Sequence, residues 1–159
     1  MPQHHERRVL PFAPDQLFEL VSDVRSYPRF LPWVSALRVL EDGTEAGAGT
    51  MTAEMAVGYK AFRETMRCRV RLDRADRAIH VDYLRGPLRR LVNDWRFEPV
   101  PGRADATLVD FRVDFEFRSR IMAVAARALL DKGVLRLVEA FEAEASRRYG
   151  GPAHIENRQ

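Results

Sequence analysis

The sequence predicts an α+β fold in which a curved antiparallel β-sheet wraps around one long C-terminal α-helix, with two short helices after the first strand. Three observations carry this. Six segments between Ser35 and Phe117 alternate apolar and polar residues with a period of two, separated by turn-forming residues. After Ser119 a helical stretch of about 30 residues, or ~45 Å, runs to Tyr149, where Gly150-Gly151-Pro152 stops it. Strands joined by tight turns pair antiparallel, and only the long helix is large enough to cover their apolar face.

Each element follows in order. His5 to Leu10 reads as a short strand ended by Pro11. Pro14-Asp15-Gln16 opens a helix with Pro and an acid in its first turn, and Leu17, Phe18, Leu20 and Val21 form its apolar face. A second helical turn, Tyr27 to Leu31, lies between Pro28 and Pro32. Ser35–Leu40 is the next strand, and Gly47-Ala48-Gly49 starts the one after it, with Met51, Ala53, Met55 and Val57 on one face and Gly58 as a bend or turn. Met66, Cys68, Val70 and Leu72 alternate with Arg67, Arg69 and Arg71, the pattern of a half-buried strand with a cationic outer face. Ala78–Leu84 follows, then the hairpin Arg85-Gly86-Pro87-Leu88, a strand carrying Leu91, Asn93, Trp95 and Phe97, and another carrying Phe111, Val113, Phe115 and Phe117. The last helix is apolar nearly all round from Ile121 to Leu130 and one-sided from Leu135, where Leu137, Val138 and Phe141 share a face. This pattern places its start deep and its end near the surface.

The 159 residues fit one domain, residues 1–150, with 151–159 as a loose tail. A composition of 46% hydrophobic and 31% charged residues is that of a globular chain. No run approaches the ~18 apolar residues that span a bilayer, and the N-terminus has no signal-peptide core, so a cytoplasmic location is expected. The net charge is +3 and almost wholly arginine, which allows contact with an anionic surface without demanding it. The single cysteine, Cys68, excludes an intrachain disulfide and reads as a small core residue. Histidines stand at positions 4, 5, 80 and 154, without metal-ligand spacing. Phosphate loops, dinucleotide fingerprints and nucleophile elbows are absent, so neither a metal nor a catalytic cofactor is expected.

Two features point to a site. Asp23 to Trp33 packs Tyr27, Phe30, Leu31 and Trp33 between prolines, in a segment too short to have its own core. A plug closing one end of the domain fits it, and so does an apolar gate over a pocket. The second is the inward set Met51, Met55, Met66, Trp95, Phe97, Val113, Phe115 and Phe117, which could be filled core or cavity wall. Asn93 and His80 are the polar groups that could face inward, and each needs a partner in the backbone or in a ligand. The Arg85-Gly86-Pro87-Leu88-Arg89-Arg90 tip reads as a solvated hairpin, as a contact for anionic headgroups, or as one for RNA phosphate.

The run Val21-Ser22-Asp23-Val24-Arg25-Ser26-Tyr27-Pro28-Arg29-Phe30-Leu31-Pro32-Trp33 resembles the signature of the coenzyme Q-binding START-like family. These proteins belong to the polyketide cyclase/dehydrase and lipid transport superfamily. Arg85-Gly86-Pro87-Leu88, Asn93-Asp94-Trp95-Arg96-Phe97 and Asp114-Phe115-Glu116-Phe117 resemble later segments of that family, so the likeness runs from about Glu6 to Tyr149. It implies a helix-grip (START-like) fold with an apolar tunnel. It also implies binding of a polyisoprenoid quinone, ubiquinone above all, in support of respiratory electron transport and without catalysis. Tyr27, Phe30, Pro32, Trp33, Trp95 and Phe97 carry the family motif. Leu31, Met55, Met66, Val113, Phe115 and Phe117 join them as wall residues by strand phase or position. The same family includes the ribosome association toxin RatA, so binding to the large ribosomal subunit, blocking subunit association, is an alternative. A cyclase-type enzyme in the same cavity is a second. The expected partners are a quinone or other lipid, the anionic surface of the inner membrane through Arg85, Arg89 and Arg90, and the large ribosomal subunit, but not DNA.

Overall fold

The computed structural model describes residues 3–59 and 62–150; the expected tail at 151–159 lies outside them. The chain order is β1 (Gln3–Leu10), α1 (Pro14–Ser22), a 3₁₀ turn (Val24–Ser26), α2 (Tyr27–Phe30), β2 (Val34–Asp42), β3 (Ala48–Tyr59), β4 (Phe62–Asp73), β5 (Ala78–Arg85), β6 (Leu88–Val100), β7 (Arg103–Phe117) and α3 (Arg120–Tyr149). All strands join one antiparallel sheet in the order β1-β7-β6-β5-β4-β3-β2. This is the α+β helix-grip arrangement expected, with two short helical segments between the first strand and the rest. Gly58 departs from expectation. It is not a turn but the next-to-last residue of β3, and its N–H donates to Trp33 O at 2.9 Å.

The sheet bends because several strand pairs slip register, in β2–β3 between Val34/Ala36 and Val39/Glu41 and in β6–β7 between Leu88/Arg90 and Pro99/Val100. Each slip adds local twist and coils the strand. β1 enters at the edge beside β7, so α1 starts at one end of the sheet and the segment from Asp23 to Trp33 returns to the other end, where β2 begins.

Burial along the inner face is uneven. At one end Met51, Val70, Leu72, Ile79, Trp95, Phe97, Val109 and Phe111 are buried with Leu17, Phe18, Leu20 and Val21 of α1. Toward the other end, Val34, Leu88, Val113 and Phe115 are buried, whereas Met55 and Val57 of β3, Met66 of β4, Val81 and Tyr83 of β5, Leu91 of β6 and Phe117 of β7 touch the same core but are only partly covered.

The described side chains of the long helix depart from the expected depth. Val138, Phe141 and Ala145 in its second half are buried, whereas Ile121 and Val124 near its start are 82% and 74% exposed. The cause lies in the order of elements. α1 and α2 pack against the far half of α3, through Phe141 and the Tyr149 hydroxyl that donates to Gln16 O at 3.1 Å, and among the described residues no such packing is seen on Ile121 and Val124.

Candidate functional site: an apolar cleft and its gate

The segment from Asp23 to Trp33 is fixed from beneath. Val24, Ser26 and Leu31 are buried, and the Tyr27 hydroxyl donates to Val21 O. Burial, and secondly the negative charge of Asp23, push the Tyr27 phenol well above its usual range, so it remains a neutral donor. Phe141 is the anvil on which the segment rests. Its ring lies 5.3 Å from Tyr27, 5.2 Å from Phe30 and 5.2 Å from Trp95, all edge to face. Trp95 in turn stacks on Phe97 with an interplanar angle of 16° and lies 4.6 Å from Phe111.

A polar clamp holds the segment's other side. Ser26 Oγ donates to Asp23 O at 2.8 Å and accepts from Arg148 Nη2 at 2.8 Å. Arg148 also donates to the buried Glu144, Nε to Oε2 at 2.9 Å, and lies 3.4 Å from Asp23 Oδ2. The Arg147 hydrogen bonds, and then those of Arg148, hold the Glu144 carboxyl below its ordinary 4.5 against the opposing cost of burial. A buried carboxylate survives here because two guanidiniums satisfy its oxygens.

Beyond this segment lies the partly covered end of the inner face. Leu37, Val39, Met55, Val57, Met66, Val81, Tyr83, Leu91, Trp33 and Phe117 give it an apolar surface interrupted by few polar groups. The Tyr83 hydroxyl accepts the Leu88 N–H at 2.8 Å. Asn93 accepts the Trp95 indole N–H at 3.1 Å and donates to Arg112 O at 2.8 Å, so its partners are protein groups. Such a surface suits a long, flexible, apolar ligand: it offers area and little directional bonding, with two methionines that adapt their shape.

The structure divides the residues singled out from sequence. Trp33, Met55, Met66 and Phe117 lie at the partly covered end, and Tyr27 and Phe30 pack on Phe141. Leu31, Trp95, Phe97, Val113 and Phe115 are buried, with Phe97 packed edge-on against Phe18, and Pro32 is exposed. Val81, Tyr83, Leu91 and Leu37 are partly covered at the same end without standing among the residues singled out from sequence. Strand phase carries their signal, as Val81 and Leu91 share the inward period of Ile79 and Trp95.

His80 does not face inward. Ile79 is buried on the inner face, and His80 points the other way, its Nδ1 2.6 Å from Asp94 and its Nε2 2.9 Å from Asp82. The bond to Asp94, then that to Asp82, raise its pKa above 6.5. His80 also borders a polar hollow of about 600 Å³ on the outer face, with Arg71, Asp73, Asp94, Arg96 and Arg112. That lining is wrong for a polyisoprenoid. Cys68 is buried, and burial pushes its thiol up to about 12, so it is a core residue. Of the hairpin arginines, Arg85 and Arg89 are exposed, whereas Arg90 is drawn to Asp114 at 2.9 Å and Glu116 at 3.5 Å on β7. Among the described residues no group of His, Cys, Asp and Glu could hold a metal ion, and no helix is long and apolar enough to cross a membrane.

Known proteins are similar to this chain in sequence or in structure. The ribosome association toxin RatA of Escherichia coli K12 is 30% identical over 149 residues, covering 94% of this chain and 90% of that protein. The mitochondrial coenzyme Q-binding protein COQ10 homolog B of Xenopus laevis is 34% identical over 152 residues, covering 93% of this chain and 59% of that protein. The solution structure of the 18 kDa protein CC1736 from Caulobacter crescentus superposes with a TM-score of 0.76 at 40% identity, covering 95% of this chain and 100% of that one. Residues 10–142 match the family described as polyketide cyclase / dehydrase and lipid transport, and the chain belongs to that family.

Proposed function

We propose that this protein binds a polyisoprenoid quinone, ubiquinone in the first instance, in the apolar cleft between the sheet and α3, and acts as its carrier or chaperone in respiratory electron transport. The observation that carries the reading is the incomplete burial of part of the inner face. Apolar side chains on β3, β4, β5, β6 and β7 are left partly covered at the same end of the sheet, beside Trp33. A protein that only needed a core would bury them, since each half-exposed Met, Leu or Phe forgoes part of the ~1.5–3 kcal/mol of its burial. The relatives named for coenzyme Q binding support the choice of ligand.

Binding rather than catalysis is the work assigned to the cleft. Asn93 is spent on Trp95 and the backbone, and His80, the histidine a cyclase reading would use, sits on the outer face between two carboxylates. Titration with ubiquinone in detergent tests the proposal through Trp fluorescence. Saturable quenching that is weakened by Met66→Glu supports it, and no quenching at saturating quinone counts against it.

A second reading has its own observation. Relatives named ribosome association toxin cover 90% or more of their length with this chain, and Arg69 and Arg71 stand exposed on the outer face of β4. Arg67 beside them is engaged by Glu54 at 2.9 Å. On this reading the protein co-sediments with the large ribosomal subunit in a salt-sensitive way, and Arg69→Gln with Arg71→Gln abolishes it.

A further inference from the structure

The start of α3 presents two large apolar side chains to water. Ile121 and Val124 are 82% and 74% exposed, far more than Leu40, Leu84 or Val92, which barely exceed a third. They are three residues apart on a helix and so share a face, and Arg120 and Arg127 are exposed on its flank. The β5–β6 hairpin is tied to this same point. Arg118 N–H donates to Pro87 O at 3.2 Å, and its Nε reaches Gly86 O at 3.2 Å and Leu88 O at 3.1 Å. The hairpin adds the exposed Arg85 and Arg89. Neither residues 83–93 nor residues 117–130 contain an Asp or Glu. The result is an exposed apolar pair among Arg85, Arg89, Arg118, Arg120 and Arg127, at the end of the sheet where the cleft is left partly covered.

We infer that the start of α3 and the β5–β6 hairpin together form a docking edge for an anionic phospholipid surface, with Ile121 and Val124 entering the acyl boundary and the arginines resting among the headgroup phosphates. The chemistry is that of interfacial binding: two exposed apolar side chains carry the insertion and neighbouring cations supply electrostatic attraction. A protein partner would not need a rim of cations free of acids, and RNA would not need two exposed aliphatic side chains. The arrangement rests on the proposed cleft ligand only for its purpose, which is to set the open end of the cleft against the phase where a quinone dissolves.

Vesicle co-sedimentation of the full chain tests the inference. The wild type is expected to bind vesicles of phosphatidylglycerol mixed with phosphatidylcholine, to ignore pure phosphatidylcholine, and to release with rising salt. Arg85→Gln with Arg89→Gln should lower partitioning by about 25-fold, since each cation contributes roughly fivefold. Ile121→Ser with Val124→Ser, which leaves the charge untouched, should lower it by about 10-fold or more. Equal binding to both vesicle types, or binding unaffected by the Ile121 and Val124 pair, overturns the inference. So does binding of the large ribosomal subunit through these residues without any binding to vesicles. Quinone quenching in detergent is read on the same samples. Vesicle binding without quenching leaves the docking edge standing and removes the quinone reading, and quenching without vesicle binding does the reverse.

Discussion

Phe141 joins α2 to the sheet, since Tyr27, Phe30 and Trp95 all meet its ring. Phe141→Ala is expected to destabilise the protein by about 3–5 kcal/mol, because the cavity left among three aromatic rings cannot collapse; urea denaturation measures it. Glu144 gives a pH dependence with a definite sign. Its folded pKa lies below 4.5, so its stabilisation is complete above that value and is lost as the pH falls through the depressed one. Glu144→Gln should therefore be less stable than wild type near neutrality and show a flatter loss of stability between neutrality and acid, read by thermal melts across that range. Both roles show how far single residues were legible. Phe141 stood in an apolar helical stripe and Cys68 in a clean alternation, so periodicity placed each in the core. The Ser26–Arg148 bond was invisible, because it joins positions 122 residues apart through side chains that also suit a solvated surface. His80 was legible and misjudged: Ile79 and Val81 on either side already set its phase outward.

Among the elements, the β5–β6 hairpin is tightly constrained at its glycine. Gly86 has φ +145°, and a Cβ there would lie 2.8 Å from the Tyr83 hydroxyl and 3.1 Å from Thr65 O. Gly86→Ala should cost about 1–3 kcal/mol and disturb the bond between Tyr83 and Leu88 N–H, seen as loss of amide protection at Leu88. The Gly-Pro signal located this turn in the sequence because turn chemistry is local. The exposure of Ile121 and Val124 was not local in origin. A helix apolar on all sides from Ile121 to Leu130 reads as buried, yet depth is decided by which elements fold over it, and α1 and α2 are committed to Phe141 and Tyr149. Gly58 failed for a related reason. A glycine between alternating segments looks like a turn, but here it lets β3 continue while Trp33 approaches its N–H.

For the whole molecule, periodicity and element lengths were sufficient for the sheet, the grip and the antiparallel order, because each strand announces its own inner face. They were not sufficient for the cleft. An inward Met or Phe looks the same in sequence whether it fills a core or lines an opening. Only the assembled structure separates Met51, buried at the closed end, from Met55 and Met66, which sit partly covered at the other. That separation is also the most direct test. With ¹³C-methyl-labelled methionine, titration with ubiquinone in detergent should shift the Met55 and Met66 methyl resonances saturably, with Met51 nearly unmoved. Resonances that stay in place at saturating quinone, or that move equally for Met51, Met55 and Met66, would contradict a ligand site at the open end of the sheet.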